Sequence, residues 1–389
     1  MKRISSLFPF ATGCFILLFA GNALAIPRFS ARYEQNCGLC HVNPSGGGQR
    51  TLYAQQFIVP AEMSMRAATP EELAQIDPQL SKNVSVGLDL RTMHHHADRR
   101  NVPYQNFLQM EGAIDLTFQP DPRFAAYVSR GLSTTYEAYG LLYVLPYNGY
   151  VKAGWFVPAF GWNFDDHTMF VRQKALSSSN SANDFDGAPT PENDVGIELA
   201  TFPNRLALTF SILNGNPGSN IPDASLGPAY VAQAIYRLHV RGIGAGIGAS
   251  FWRNEESQSV SPTWQYARTA GGPYGYLKYG KLIWLAESDW SRGVPAGDTT
   301  KAVSTMQVMS QELTYLLRRG IELRGTYDFF DPNTAVKSGA RYRFGAGVEV
   351  IPTPFLDIQA MLNIHHFSGG ADVTGQDFTQ SQIQVHVFY

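Results

Sequence analysis

Val84-Ser85-Val86-Gly87-Leu88-Asp89-Leu90 alternates apolar with small or polar side chains, so an extended chain carries Val84, Val86, Leu88 and Leu90 on one face. The C-terminal stretch Gln382-Ile383-Gln384-Val385-His386-Val387-Phe388-Tyr389 repeats this with Ile383, Val385, Val387 and Tyr389. Between them, alternating segments recur near 105–118, 123–131, 133–143, 149–157, 194–202, 206–212, 229–240, 242–253, 274–290, 303–317, 320–330, 338–350 and 354–366. Short turns such as Arg318-Arg319-Gly320 and Pro352-Thr353-Pro354 alternate with long polar stretches at 177–193, 254–272 and 332–338. A soluble β-sandwich also alternates, but its strands are shorter, and a sheet this long in water would leave open edges and a large apolar exterior. The pattern therefore predicts an all-β fold: a closed antiparallel outer-membrane β-barrel of about sixteen strands, with short periplasmic turns and long external loops. Tyr139, Tyr143, Tyr147, Tyr150, Trp155, Trp162, Trp284 and Trp290 fall near predicted strand ends, where interfacial girdles belong.

Upstream of the barrel the chain has a different character. Lys2 and Arg3 precede an apolar run from Leu7 through Ala20 and a small-residue Ala23-Leu24-Ala25 sequence. That run is shorter than the ~20 residues a bilayer span needs, so residues 1–25 read as a signal peptide cleaved after Ala25. Residues 26–80 form a compact polar segment, and residues 81–389 the barrel.

Cys37-Gly38-Leu39-Cys40-His41 is a C-x-x-C-H sequence, and loss of Cys14 with the signal peptide leaves Cys37 and Cys40 as the only cysteines. Two thiols at this spacing reach one porphyrin edge, and the following imidazole becomes the proximal ligand, so the motif predicts one covalent haem c. A zinc site would want two further Cys or His ligands nearby, whereas the next histidines are His94, His95 and His96. Pro27, Pro44 and Gly46-Gly47-Gly48 break regular structure and permit tight folding around a bulky group. A short helix is expected over Ala54–Met65, and a second after Thr69-Pro70-Glu71-Glu72, where a Thr cap precedes Pro at the first helical position. A segment this small cannot bury a core alone, so it is expected to sit in the barrel as a plug. Met63 and Met65 are the nearest candidates for the distal haem ligand, with His94–His96 and Met110 as alternatives.

Without Lys2 and Arg3 the chain has 28 basic against 32 acidic residues, a net charge of −4. No basic footprint for nucleic acid is present.

Gly154-Trp155-Phe156-Val157-Pro158-Ala159-Phe160-Gly161 and the residues to Arg172 resemble the strand and constriction loop of phosphate-selective and related porins. If that loop folds inward, Asp165, Asp166, His167 and Arg172 face the lumen. The chain as a whole resembles the fused monohaem cytochrome-porins of the outer membrane known from iron-oxidising bacteria. The likeness is carried by Ala25-Ile26-Pro27-Arg28-Phe29-Ser30-Ala31-Arg32, by Cys37, Cys40 and His41, and by a barrel ending in Tyr389. After His41 the chain departs from that family, with Val42-Asn43-Pro44-Ser45-Gly46-Gly47-Gly48-Gln49-Arg50 replacing its usual continuation. The resemblance implies an electron conduit in outer-membrane lipid, with periplasmic c-type cytochromes and an extracellular redox partner such as Fe(II) at its two ends. Such a protein is an electron carrier more than a classical enzyme; as an enzyme it would be an iron-oxidising oxidoreductase. The alternative reading is an anion or solute porin whose haem segment gates the pore or senses redox state.

Overall fold

The computed structural model describes residues 27–35, 37–99, 102–131, 136–162, 169–172, 191–217, 227–258, 264–293, 302–368 and 377–389. The expected signal peptide lies outside these residues. Sixteen antiparallel strands, from Val84–Arg99 to Phe378–Phe388, each pair with the next in sequence. The last strand returns to the first, with Ile383 opposite His94 and Val387 opposite Leu90. No barrel edge is left to lipid, as a bilayer requires.

The polarity of this sheet is inverted relative to a water-soluble fold. Phe107, Ile114, Ile364 and Ile383 on the outer face are all more than 50% exposed, while Asp89, Arg91, Asp115, Lys152 and Glu198 are buried inside. Val84, Val86, Leu88 and Leu90 alternate with Gly87, Asp89 and Arg91 in the expected sense. An apolar exterior around a polar interior is stable when lipid surrounds the outer face.

Hairpins at 122–123, 241–242, 280–281 and 319–320 lie at one end of the barrel, and the longer connections, such as 157–193, at the other. With an even strand number, both ends of the barrel chain lie on the short-turn side. There the strand Gln79–Ser81 turns through Lys82-Asn83 into the first barrel strand. Val86 N–H donates to Pro78 O, two residues from where Leu88 and Tyr389 exchange both backbone bonds. Gln79–Ser81 thus continues along the edge of the first strand where the last strand stops.

Two sequence expectations are corrected. The segment 274–290 is two strands, Trp264–Tyr279 and Leu282–Gly293, and residues 264–272 belong to the first of them instead of to a loop. Gly271-Gly272-Pro273 carries the signals of a turn but lies inside a strand. A Cβ on Gly272 would come within 1.8 Å of Ser288 O, so only glycine allows this approach. Pairing with the next strand jumps from Gly271–Trp290 to Tyr274–Glu287, stepping over the proline that has no N–H to give. The second correction concerns the aromatic residues. Trp284, Trp290 and Tyr147 are exposed, but Tyr139, Tyr150 and Trp162 are buried inward. They pack the lumen with Tyr127, Phe156, Phe160 and Tyr274 instead of ringing the membrane surface.

Candidate functional site

The N-terminal segment lies within the lumen, held by residues of the inner wall. Helix Pro27–Tyr33 offers Arg28 and Arg32 to three strands of that wall. Arg28 pairs with Glu349 and lies 3.8 Å from Glu312 and 3.9 Å from Glu322. Arg32 pairs with Glu322. Arg324 of the wall ties the same carboxylates together, 2.6 Å from Glu312 and 3.7 Å from Glu349. Just past the helix, Glu34 takes φ +54° and accepts from Lys278 at 3.1 Å, with His239 Nδ1 at 2.9 Å.

Cys37–Cys40 forms a single helical turn, His41 N–H donating to Cys37 O at 2.8 Å. His41 then bridges to Arg50, and Val42 N–H to Gln49 O closes an eight-residue loop, 42–49, between them. Gly46, Gly47 and Gly48 have φ of +94°, +79° and +62°, a left-handed run that only glycine makes cheaply. A Cβ on Gly48 would lie 2.1 Å from Tyr127 Oη. The triple glycine thus serves to press the loop flat against the wall. Gln49 reaches Ser85 at 2.9 Å and Thr117, while Asn43 and Ser45 reach a buried ion pair. Lys152 and Glu198 are 2.7 Å apart; Lys152 donates to Ser45 Oγ at 2.9 Å and to Asn43 Oδ1 at 3.3 Å.

Helix Ala54–Met63 is wound as a π-helix around Pro60, and the helix at Pro70–Leu73 has the Thr69/Glu72 capping box its sequence announces. Met63 and Met65 part company at the end of the first helix. Met63 lines a lumen cavity of about 430 Å³, together with Cys37, His41, Phe29, Trp162 and Phe388. Met65 packs on Gly320 in a short turn and donates its N–H to Ile351 O. His95 faces the lumen next to Gln380, and His94 lies tilted against the outward Phe107, ring centroids 4.9 Å apart. Met110 is the extra residue of a bulge, skipped between the Arg91–Glu111 and Thr92–Gln109 pairs.

Residues 157–162 and 169–172 of the connection 157–193 lie inside the barrel. Trp162 N–H donates to Glu287 at 2.7 Å and its indole N–H to Ala286 O, both on the far wall. Gln233 donates to Gly161 O at 2.6 Å. Met169, Phe170 and Val171 are buried against Met306, Val308 and Phe330. Asp165, Asp166 and His167 lie outside the described residues. Arg172 ends a short 3₁₀ turn there.

The chemistry of Cys37-x-x-Cys40-His41 follows from this setting. His41 Nδ1 is 3.3 Å from Gly48 O. A carbonyl oxygen only accepts, so the proton is on Nδ1, and Nε2 carries the lone pair a metal would take. Burial pushes the Cys37 thiol up to about 11, Arg237 pulling it down only in part, and burial also raises Cys40. Reactive redox dithiols have depressed thiol pKa values, and this pair lacks that setting. The residues present fit a haem: two thiols one turn apart, an imidazole with Nε2 as donor, a thioether in the same cavity, and a lining that mixes aromatic rings with charged side chains.

Sequence reasoning missed the partners of the segment. Arg28, Arg32 and Glu34 meet residues more than 200 positions away, and no local pattern announces such pairs. Lys152 alone carried a signal, as a cation at an inward position of the strand Gly149–Phe156.

No protein-family model matches the chain, and no curated protein matches it. Solved structures do. The chain is similar to the anion-selective porin from Comamonas acidovorans, with TM-score 0.55 and 10% identity, over 79% of this chain and 99% of that one. It is similar to the outer membrane channel DcaP of Acinetobacter baumannii, with TM-score 0.57 and 9% identity, over 81% and 100%. A third match is Pseudomonas putida OprB, with TM-score 0.56 and 8% identity, over 85% and 99%. The fold is that of outer-membrane porins.

Proposed function

We propose that this chain is an outer-membrane electron-transfer protein that carries one c-type haem in its barrel. The observation behind the reading is the C-x-x-C-H turn inside the lumen, with Cys37, His41 and Met63 lining one cavity. Cys37 and Cys40 would hold the group covalently, His41 Nε2 would be its proximal ligand and Met63 its distal one. Haem supplies a one-electron iron couple when bound. Gly48 O orients the imidazole, and Trp162, Phe29 and Phe388 supply apolar surface to the cavity. The apolar band of such a barrel is about 25 Å tall, and tunnelling falls off exponentially with distance. A redox centre within the lumen divides that gap between an extracellular donor such as Fe(II) and periplasmic c-type cytochromes.

The first test is the absorption spectrum of purified, detergent-solubilised protein, oxidised and reduced. A covalent c-type spectrum that is lost in Cys37→Ala and Cys40→Ala supports the reading; wild-type protein without covalent haem overturns it. Met63→Ala should remove the methionine-to-iron charge-transfer band and lower the midpoint potential, while Met65→Ala should leave both unchanged. In cells, Cys37→Ala should abolish electron exchange with the barrel still assembled.

The inward stretches 157–162 and 169–172 favour a second reading, a solute or anion channel in which the haem segment gates the pore. Under it, protein in planar bilayers conducts ions freely, and deletion of 27–78 changes selectivity more than conductance. A closed wild-type barrel whose conductance appears only on that deletion supports the conduit.

A further inference from the structure

Most basic side chains of the inner wall near the Cys37 motif face a carboxylate among the described residues, and Arg237 does not. Lys152 has Glu198, Lys278 has Glu34, and Arg324 has Glu312 and Glu349. Arg237, on the strand Ala229–Val240, lines the same cavity as Cys37 and His41 and is 2% exposed. Its Nε and Nη1 have no hydrogen-bond partner among the described residues, and no carboxylate lies within ion-pair distance of it there. The hydroxyl of Tyr276, also 2% exposed, has no partner either.

These two groups are neighbours by register. Gly246 pairs with Arg237 on one side and with Tyr276 on the other, so the three form a row across the inner wall. A glycine in the middle leaves the row open, and the Tyr276 ring leans over it: a Cβ there would lie 2.4 Å from Tyr276 Cε1. The row therefore offers N–H and O–H donors and a full positive charge, with no acceptor to receive them. A buried guanidinium is stable when an anion meets it, and its planar fork matches a carboxylate.

We propose that Arg237 and Tyr276 form a carboxylate clamp in the lumen, and that its occupant is one of the two haem propionates. The proposal rests on the haem reading above. Arg237 and Cys37 line the same cavity, so the clamp opens onto the space that the first thioether position faces.

Because the haem is held by thioethers, variants of the clamp keep it, and the clamp can be tested on loaded protein without any assay of electron exchange. Wild type, Arg237→Gln, Arg237→Lys and Tyr276→Phe are purified, checked for a c-type spectrum and for the heat-modifiable gel mobility of a folded barrel, and titrated potentiometrically from pH 5 to 9. A cation beside the haem disfavours the ferric state, so Arg237→Gln should lower the midpoint. The expected shift is on the order of tenfold in the Fe(II)/Fe(III) ratio at fixed potential, ~59 mV for one electron. Without its cation the propionate binds a proton more readily, so the pH-dependent part of the midpoint curve should move to higher pH. Arg237→Lys should restore most of the wild-type midpoint, and Tyr276→Phe should give a smaller downward shift. Haem-loaded Arg237→Gln with an unchanged midpoint and pH profile overturns the clamp and leaves the conduit standing. Wild-type protein without covalent haem overturns both.

Discussion

At one wall of the lumen, Arg28 and Arg32 meet Glu312, Glu322 and Glu349 as ions. At the opposite wall, Asn43 and Ser45 meet Lys152 and Glu198 as neutral groups. The first wall has three buried carboxylates and a single arginine of its own at the contact, so it is short of positive charge until the N-terminal helix arrives. The second wall carries a cation of its own, Lys152 facing Glu198 at 2.7 Å over the rings of Tyr139 and Phe156, and its other carboxylate, Glu137, accepts from the neutral donors Asn43 Nδ2 and Val157 N–H. One grip is required by the barrel; the other is only accepted by it. Charge decides whether the segment stays, and neutral hydrogen bonds decide how it lies.

The sharpest way to break this contrast is Arg28→Ala. Removing one partner of a buried ionic cluster leaves uncompensated carboxylates, at a cost of about 3–5 kcal/mol. The barrel should keep its heat-modifiable mobility while the segment becomes cleavable by protease from the short-turn side; a segment as resistant as wild type would show that the ionic grip is dispensable. Cys37 lies between the two grips and reports on both. In haem-free protein its thiol is held protonated by burial, with a pKa of about 11. Alkylation at pH 8 should be roughly a hundredfold slower than for an unperturbed thiol near pH 8.5. It should then rise about tenfold per pH unit and level off near pH 11, and Arg28→Ala should bring it back toward the ordinary rate. Gly48→Ala tests the neutral grip: a left-handed Cβ costs about 1–2 kcal/mol, and here it also meets the Tyr127 hydroxyl. Amide exchange should accelerate in 42–49 while 27–33 stays protected. Ser45→Ala should cost about 1 kcal/mol on the same readout. Smallest is Thr69→Ala, which removes an exposed cap worth ~1 kcal/mol and should change exchange only around Pro70–Leu73.

Much of the barrel was legible because a membrane sheet writes its two faces into alternate residues. Val84 to Leu90 and Ile383 to Val387 need no knowledge of partners to be read. The Cys37-x-x-Cys40-His41 turn and the Thr69 capping box are equally local. Other features are settled across the barrel. Period two separates two faces but does not say which one an aromatic takes, so Tyr139 and Tyr150 read as girdle residues while they pack the lumen. Gly272-Pro273 has the composition of a turn, and only the neighbouring Ser288 explains why a strand wants it. Met63 and Met65 are indistinguishable in sequence; the last residues of a π-helix send one into the cavity and the other onto Gly320. Arg237 and Tyr276 become neighbours only once Gly246 is paired between them.

The closing seam has a consequence for biogenesis. The strand that follows the N-terminal segment, Val84–Arg99, is the one on which the final strand shuts. The segment is made first and enclosed last, like a ship built before its bottle is sealed. A group bonded to Cys37 and Cys40, as proposed above, would travel with it, so its attachment would have to precede arrival of the C-terminal strand. Once Tyr389 has joined Leu88, the cargo is confined, and a chain that seals early is an empty vessel.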